Sequence, residues 1–241
     1  MHTLQALKVS KRFGERTVVN SVSVDLQSGE VVGLLGPNGA GKTTTFYMFT
    51  GLIAPDQGHI LLDGKEITKD PMYIRSKLGV GYLPQEASVF RKLSAEDNVM
   101  AILETIEDLS AQQRAARCEM LLQELGLLAI RKSVGSSLSG GERRRVEIAR
   151  SLARSPHFIL LDEPFAGIDP IAIRDIQNIV ASLRDKGIGV LITDHNVRET
   201  LGICDRAYIM VDGKVLEEGS PLEIASSALA QKHYLGQGFA L

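Results

Sequence analysis

The chain of 241 residues is long enough for one large domain, at the usual size of roughly 150 residues per domain, with room for an insertion. Hydrophobic residues make up 44% and charged residues 23%, which is typical of a globular protein with a sizeable core. The net charge of −2 lacks the positive excess that attracts polyanions over long range, so we expect no nucleic-acid partner.

The hydrophobic runs are too short to cross a bilayer. Residues 31–35 and 158–161 fall far below the roughly 20 apolar residues that a membrane-spanning helix needs. Residues 1–5 show neither a signal peptide pattern nor an Arg-rich transit pattern, so we expect a cytoplasmic protein. Cys118 and Cys204 lie far apart in the sequence, which favours reduced structural thiols over a disulfide or a metal site.

The β-structure predicted from the sequence is of two kinds. Residues 4–27 alternate apolar and polar side chains, most clearly over residues 18–24, as in a half-exposed antiparallel sheet. Apolar runs bounded by Gly, Pro or Asp occur at residues 31–35, 158–161, 189–193 and 207–211. Each run is long enough for a buried strand, so the sequence predicts an α/β fold with a parallel sheet core and a flanking antiparallel sheet.

Residues 86–155 follow a helical period instead. The periodic apolar positions are Leu103, Ile106, Leu109, Leu121, Leu122, Leu125 and Leu128. Ser94 precedes Asp97 by three residues, a capping arrangement that predicts a helix start. We expect a single domain over residues 1–241, with a core of residues 1–85 and 156–241 and a helical insertion of residues 86–155.

A phosphate-binding loop follows the first buried strand. It matches G-x-x-x-x-G-K-[ST] and lies between a strand and a predicted helix, as that motif requires. Its glycines let backbone N–H groups surround phosphate oxygens, Lys42 is placed for the β and γ phosphates, and Thr43 for Mg²⁺. The predicted ATP-binding residues are Gly36, Pro37, Asn38, Gly39, Ala40, Gly41, Lys42, Thr43 and Thr44.

A second apolar strand ends in two carboxylates, Asp162 and Glu163. Open α/β sheets bind ligands at the carboxyl ends of their strands, so both acids should face the nucleotide. We expect Asp162 to hold Mg²⁺ and Glu163 to act as the catalytic base that polarises the attacking water.

Residues 138–142, Leu-Ser-Gly-Gly-Glu, begin a predicted helix and form a second candidate phosphate site. At this point the sequence resembles the ATP-binding cassette family, in which the phosphate loop, helical insertion, this signature and the acidic strand occur in the same order. The resemblance covers nearly the whole chain. It implies a P-loop NTPase fold of the RecA-like type with a flanking antiparallel sheet and a helical insertion, and ATP and Mg²⁺ as cofactors.

The resemblance also implies how two copies of the chain work together. Ser139, Gly140 and Gly141 would contact the γ-phosphate of ATP held by the phosphate loop of a second copy. The working unit would therefore be a head-to-tail homodimer with two ATP molecules at its interface. Asp169 matches the loop residue that couples the two sites across the dimer.

Three further positions match family residues individually. Gln85 matches the glutamine that senses Mg²⁺ and the γ-phosphate, and His195 matches the histidine that contacts the γ-phosphate, so both join Lys42 and Glu163 in the predicted catalytic set. Phe13 falls where the family stacks an aromatic ring, more often tyrosine, on adenine. A Phe that anchors the antiparallel sheet is the alternative.

The basic run at residues 143–145 is interpreted as a solvated helix face, since three charges specify little nucleic-acid binding. A non-transport ATPase switch of this family would be expected to have two tandem phosphate loops, a long heptad insertion or a basic excess, none of which the sequence contains. Transport is therefore the favoured function. The expected partners are integral membrane permease subunits, and we expect this chain to be peripheral on the cytoplasmic face of the inner membrane, with no direct contact with the transported substrate.

Within transporters, two subgroups resemble this chain. Residues 82–94, residues 162–170 and the ending with Phe239 resemble the ATPase subunits of lipopolysaccharide exporters. Branched-chain amino-acid importers share the general frame and the closing Tyr-Leu-Gly, so they remain the alternative. Phe90 and Arg91, beside Gln85, are the candidate docking residues for the membrane partner, because an aromatic next to an Arg is enriched at binding hot spots. The other interpretation is that Phe90 is a core residue under the following helix.

Overall fold

Two β-sheets and a group of helices make up the fold, in a computed structural model that describes residues 1–239 and 241. The strands are β1 (Thr3–Phe13), β2 (Arg16–Gln27), β3 (Val31–Leu35), β4 (Gln57–Leu62), β5 (Lys65–Glu66), β6 (Val80–Leu83), β7 (Phe158–Asp162), β8 (Gly189–Thr193), β9 (Arg206–Val211) and β10 (Lys214–Gly219). The helices are α1 (Lys42–Thr50), α2 (Met72–Lys77), α3 (Ala95–Leu103), α4 (Ala111–Glu124), α5 (Gly140–Leu152), α6 (Pro170–Asp185), α7 (Val197–Leu201), α8 (Pro221–Ser226) and α9 (Ala228–Ala230).

The larger sheet forms the core, with strand order β10-β9-β3-β8-β7-β6. Strands β9, β3, β8, β7 and β6 pair in parallel, and β10 pairs antiparallel with β9 at one edge. Alternate residues of the central strands pack on opposite faces, one against the helices α3 to α6 and the other against α1 and the second sheet. Strands β3, β7 and β8 are buried along their whole length for that reason, which confirms the predicted parallel core.

The smaller sheet is antiparallel, with strand order β2-β1-β4-β5. Its first hairpin turns between Phe13 and Arg16, which pair with each other at the end of the ladder. One face contributes buried side chains to the core, and the other face is largely exposed, as the alternating pattern predicts. The sequence analysis did not identify β4 and β5, which complete this sheet.

Helices α3, α4 and α5 occupy the segment that was predicted to be helical. Ser94 caps α3 by accepting a hydrogen bond from the Asp97 N–H, so the predicted helix start is confirmed. Helix α3 nevertheless ends at Leu103, earlier than the periodic pattern suggested. Ile106 and Leu109 lie in the following turns and still pack on the same core cluster, which is why they resemble a helical face in the sequence.

Both cysteines are free and buried, in agreement with the predicted structural thiols. Burial raises the pKa of the Cys118 thiol to about 11. The pKa of Cys204 is raised by burial as well, so neither thiol is ionised near neutral pH.

A buried arginine ties α2 to the end of α1. Arg75 is 1% exposed, and its guanidinium donates to the carbonyls of Met48 (2.6 Å), Phe49 (2.8 Å), Asp70 (2.8 Å) and Thr68 (3.0 Å). The last carbonyls of a helix have no partner within the helix, so Arg75 satisfies groups that would otherwise be unpaired. Burial lowers the pKa of Arg75 to about 10, which leaves the group charged at neutral pH.

Replacing Arg75 with Met should destabilise the protein by on the order of 3 kcal/mol, because several buried carbonyls lose their donor at about 1–3 kcal/mol each. Denaturant unfolding measures the change. Arg174→Met, at an exposed position on α6, is the control and should shift the free energy of unfolding by less than about 0.5 kcal/mol. Equal stability of the two variants would contradict the assigned role of Arg75.

Candidate nucleotide-binding site

The site lies where four parallel strands end at the same edge of the large sheet. Strand β3 leads into the phosphate loop, β6 into Gln85, β7 into Glu163 and β8 into His195. These segments are distant in sequence, yet parallel pairing brings their carboxyl ends together. The structure therefore assembles the predicted phosphate loop, base, Mg²⁺ ligand and γ-phosphate contacts on one surface.

The phosphate loop has a backbone that requires glycine. Gly36, Gly39 and Gly41 have φ angles of 149°, 80° and 96°, in the region that side chains disfavour. A Cβ on Gly36 would lie 2.1 Å from the carbonyl oxygen of Met210, and one on Gly41 would lie 2.6 Å from that of Val18. Strands β9 and β2 thus lie directly against the loop. They leave no room for side chains at these glycines and fix the curvature of the loop that would surround a phosphate.

Lys42 begins α1 and is 7% exposed. Its ammonium donates to the carbonyl oxygens of Gly36 (2.6 Å) and Pro37 (3.0 Å), within the loop itself. Burial lowers its pKa, and the nearby carboxylates Glu163 and Asp162 oppose that shift. The first N–H groups of α1 have no partner within the helix, so this charge and the helix N-terminus both favour an anion at this position.

A cavity of about 230 Å³ opens over the loop. It brings together the phosphate loop, the base and the histidine that the sequence analysis assigned from separate segments. Its lining residues are Arg16, Val18, Asn38, Gly39, Ala40, Gly41, Lys42, Thr43, Thr44, Glu163 and His195. Thr43 is exposed at the surface, where its hydroxyl is accessible to a ligand.

Glu163 is the centre of a three-residue cluster. Its carboxylate accepts a hydrogen bond from the Gln85 amide (2.7 Å) and lies 2.9 Å from His195 Nε2. Glu163 has a φ of 45°, unusual for a residue with a side chain, and its N–H donates to the Thr193 carbonyl at 2.7 Å. Local strain of this kind is a feature of functional sites, and here it turns the carboxylate towards the phosphate loop.

Asp162 is buried at the end of β7, next to Glu163. Burial, together with the charge of Glu163, raises the pKa of Asp162 to about 6. The Tyr82 hydroxyl lies 3.5 Å away and partly offsets this effect. A divalent cation would relieve the repulsion between the two carboxylates.

The donor set fits Mg²⁺ better than a cation held entirely by protein. Within the described residues, no group of three His, Cys, Asp or Glu side chains could hold a metal ion. Mg²⁺ is usually held by one or two protein groups together with phosphates and water. Thr43, Asp162 and Gln85 supply a hydroxyl, a carboxylate and an amide beside the phosphate cradle, which matches that pattern.

The Ser-Gly-Gly segment lies apart from this cavity. Ser139 caps α5: its hydroxyl accepts from the Glu142 N–H (3.3 Å), and the Glu142 carboxylate accepts from the Ser139 N–H (2.9 Å) and hydroxyl (2.8 Å). Ser139 and Gly141 line a different cavity of about 230 Å³, together with Asp169. Gly140 lies beside Gln85 in a further cavity of about 120 Å³. The second candidate phosphate site of one chain is thus separated from that chain's own phosphate loop.

Asp169 caps α6, since its carboxylate accepts from the N–H groups of Ile171 (3.1 Å) and Ala172 (3.0 Å). Ile171 is 81% exposed, which leaves a large apolar side chain in water beside the signature cavity.

The first hairpin ends in the pair Phe13 and Arg16, of which only Phe13 was predicted to be a site residue. Phe13 is 48% exposed, which argues against a core anchor and leaves its ring accessible for stacking. Its hairpin partner Arg16 lines the phosphate cavity, with its guanidinium close to Gly39. A cation in a short polar turn has no distinctive sequence signal, and only the hairpin pairing identifies it.

The interpretation of residues 143–145 as a solvated face is wrong for Arg144. Arg144 is 5% exposed, because α5 turns this side chain under the strand ends. It donates to the carbonyls of Pro84 (2.7 Å) and Asp162 (3.1 Å) and pairs with buried Glu147 (3.2 Å). Arg144 therefore connects the helical segment to the strands that carry Gln85 and Glu163.

Glu147 extends this connection to the candidate docking segment. Its carboxylate accepts from the N–H groups of Ser88 (2.6 Å) and Val89 (3.1 Å). Phe90 follows, with both its N–H and its carbonyl bound by the side chain of Asn98. The Phe90 ring is 42% exposed and lies 4.2 Å from the Arg150 guanidinium, so it is not a core residue under α3.

A groove of about 450 Å³ runs between the helical segment and the sheet core, next to this turn. Exposed Met72 and Tyr73 on α2 form one wall, and Arg150 forms part of the other. The full lining consists of Leu52, Met72, Tyr73, Ser76, Val80, Gly81, Tyr82, Pro84, Ser88, Ile102, Thr105, Glu147, Arg150, Ser151 and Arg154. Arg91 is exposed beside Phe90.

Asp162→Asn should stabilise the nucleotide-free protein at pH 8 and have little effect near pH 3, below both the usual Asp pKa of 3.8 and the raised folded-state value. A carboxyl with a raised pKa binds its proton more tightly in the folded state, so its stabilising effect is lost as pH rises through about 6. The amide has no charge to lose, and melting temperature should rise by about 2–4 °C for each kcal/mol gained at pH 8. Asp108→Asn, at an exposed position, is the control. A pH-independent shift in Asp162→Asn would contradict the charge repulsion.

Comparison with known proteins gives one consistent family. Residues 19–166 match the family model described as ABC transporter. The lipopolysaccharide export system ATP-binding protein LptB of Acidithiobacillus ferridurans is 62% identical over 238 residues, which covers 99% of this chain and 98% of the relative. The protein of the same name from Escherichia coli (strain K12) is 55% identical over 241 residues and 100% of both chains. No helix in residues 1–239 is long and apolar enough to cross a membrane.

Solved structures give the same result. An ATP-binding cassette of an ABC transporter in its ADP conformation has a TM-score of 0.87 and 28% identity over 98% of this chain and 100% of its own. A dimeric cassette in a post-hydrolysis state, bound to ADP and Pi, has a TM-score of 0.78 and 26% identity over 90% of this chain and 98% of its own. Because the family model matches more than half of the chain and relatives at 55–62% identity span nearly all of it, the chain belongs to the ABC transporter family.

Proposed function

We propose that this chain is the Mg²⁺-dependent ATPase subunit of a lipopolysaccharide exporter. The main supporting observation is the Glu163 cluster. Gln85 and His195 both contact Glu163, which lines the same cavity as Lys42. This arrangement combines a phosphate cradle with a hydrogen-bonded carboxylate that can act as a base, the two elements that nucleotide hydrolysis requires. The full-length relatives named as lipopolysaccharide export proteins support the transported class.

Each predicted site residue has a role in this mechanism. Lys42 leaves the loop carbonyls to bind the β and γ phosphates, and Phe13 stacks on adenine. Thr43, Asp162 and Gln85 would hold Mg²⁺, which would supply charge neutralisation on the phosphates. Glu163 accepts a proton from the attacking water, and His195 contacts the γ-phosphate.

The complete site requires a second copy of the chain. Ser139, Gly140 and Gly141 lie in cavities separate from the phosphate loop of the same chain, so they are available to the ATP of a partner. Two phosphate sites on different copies would produce a head-to-tail homodimer with two ATP molecules at its interface. The solved dimeric relative, bound to ADP and Pi, supports this assembly. Asp169, with exposed Ile171 beside it, would lie at the contact between the two sites.

The membrane partner would be an integral permease subunit, and this chain would lie on the cytoplasmic face of the inner membrane. We assign residues 1–85 and 156–241 to the nucleotide-binding core and residues 86–155 to the helical signature unit. The groove between the two parts is the docking surface in this proposal, together with Phe90, which packs on the groove residue Arg150, and the neighbouring exposed Arg91. The transported lipopolysaccharide would not touch this chain, so specificity would belong to the partner.

The main alternative is the ATPase subunit of a branched-chain amino-acid importer. Copurified membrane subunits, reconstituted into vesicles, separate the two functions. Release of lipopolysaccharide that depends on ATP supports the proposal, whereas ATP-dependent leucine uptake supports the alternative. ATPase activity that responds to nucleic acid and to no membrane subunit would contradict both.

Glu163→Gln should lower kcat by about 10²–10⁴-fold, because the amide retains the shape of the side chain but cannot accept the proton. ATP affinity should change little, and the purified variant should accumulate as a dimer when ATP is added, which size-exclusion chromatography detects. Adding Ser139→Ala should weaken that dimer, while Ser136→Ala, an exposed serine before the signature, should not. Near-normal hydrolysis by Glu163→Gln would rule out Glu163 as the base.

Phe90→Ala should leave the isolated subunit stable and active but reduce its copurification with membrane subunits. A buried Phe would cost about 3–5 kcal/mol on truncation, whereas a half-exposed ring should cost much less. Met120→Ala is the matched control, since Met120 is 47% exposed on α4 and lies outside the groove. A large fall in melting temperature with Phe90→Ala, or equal copurification of the two variants, would contradict docking at Phe90.

A further inference from the structure

Asp194 is a buried carboxylate to which the proposed mechanism gives no role. It follows β8 directly and is 2% exposed. Its two oxygens accept hydrogen bonds from separate backbone amides, Phe165 N–H on Oδ2 and Asn196 N–H on Oδ1, both at 2.9 Å. Burial of a charge is costly unless it is hydrogen-bonded, so these two contacts are the condition for keeping a carboxylate at this position.

The two amides belong to the two loops that complete the nucleotide site. Asn196 follows His195, so one bond fixes the turn that carries the histidine. Phe165 lies two residues after Glu163, in the loop that continues to Asp169. One rigid side chain therefore sets the position of one loop relative to the other.

Other contacts act at the same junction. The Glu163 N–H donates to the Thr193 carbonyl at 2.7 Å, and His195 Nε2 lies 2.9 Å from the Glu163 carboxylate. The Phe165 ring is 1% exposed in the core, so its backbone cannot shift freely. The Phe165 backbone therefore holds Asp194 through one hydrogen bond, and Asp194 in turn holds the turn that carries the exposed His195.

We propose that Asp194 is a positioning residue that holds the His195 turn and the residue 163–169 loop as a single unit. In this unit, the γ-phosphate contact of His195 and the dimer contact of Asp169 form or break together. The inference rests on the proposed ATPase function, and it adds a link within one chain between hydrolysis and the contact with the second copy.

Asp194→Asn is the informative variant, because the amide has the same shape but a single acceptor oxygen and so retains one of the two bonds. Misplacement of a catalytic contact by about 1 Å can cost a hundredfold, so we expect kcat to fall by about tenfold to a hundredfold. The KM for ATP should stay within about twofold, since the hydrogen bonds described for Asp194 are to Phe165 and Asn196 and not to the phosphate loop. Steady-state ATPase kinetics of the full chain measure both.

Asp205→Asn is the matched control. Asp205 also accepts a strand amide, the Val31 N–H at 2.9 Å, but at the opposite end of β3 from the phosphate loop. Both substitutions remove a carboxylate that binds backbone, but Asp205 is exposed and also pairs with Arg184, so the melting temperature of each variant is measured to separate lost stability from lost turnover. If Asp194→Asn lowers kcat no more than Asp205→Asn does, or if both change only the melting temperature, Asp194 has a structural role and the proposal is overturned.

A double-mutant cycle with His195→Ala tests whether Asp194 acts through the histidine. In that background, Asp194→Asn should lower kcat by less than about threefold further, because the contact it positions is already lost. Independent, multiplicative losses would overturn the proposal. Near-wild-type turnover by Glu163→Gln would instead signal failure of the proposed catalytic base, so the two failures are distinguishable.

The dimer contact supplies a second readout. In the Glu163→Gln background, Asp194→Asn should weaken ATP-induced dimerisation, and Asp205→Asn should not. Asn196→Pro removes just one of the two donors, at a φ of −79° that lies within the range of proline, and it keeps the buried carboxylate. If Asp194→Asn does not fold, Asn196→Pro should still lower kcat. An unchanged kcat for Asn196→Pro would overturn the proposal.

Discussion

The parallel pairing of β3, β8, β7 and β6 is the constraint on which the rest of the structure depends. Each strand ends in a different functional segment, and parallel register places all four ends on one edge. Alternate side chains of these strands pack into two different apolar clusters, one on each face of the sheet, so a slip in register would disrupt the packing of both. The packing of the core therefore fixes the positions of the four functional segments at this edge.

Buried charges connect that edge to the helices. Arg144 and Glu147 lie on α5, yet their contacts are with the carbonyls and amides that follow β6 and β7. Broken individually, such contacts would leave charges or backbone groups unpaired in a low-dielectric interior. A change at Gln85 or Glu163 must consequently be accommodated by α5, which begins at the signature serine.

The same geometry places the two candidate phosphate sites of one chain in separate cavities. The phosphate loop begins α1, and the Ser-Gly-Gly segment begins α5, and each helix N-terminus opens into its own cavity. Both are anion sites on general grounds, since free N–H groups and the helix dipole act at each. In the proposed function, closure of one site by the other would require two copies, and docking at the groove beside α5 would influence how the copies meet.

The sequence alone determined the features that follow from local pattern and motif. It predicted β3, β7, β8 and β9, though not β6, together with the antiparallel flank, the helix starts at Ser94 and Ser139, and the phosphate loop, because alternation, capping residues and glycine spacing are properties of short segments. Tertiary structure decided the rest. The burial of Arg144, the exposure of Phe90, the position of Arg16 and the two bonds of Asp194 depend on which strand ends become neighbours. Residues far apart in sequence meet there, and no short-range pattern encodes that contact.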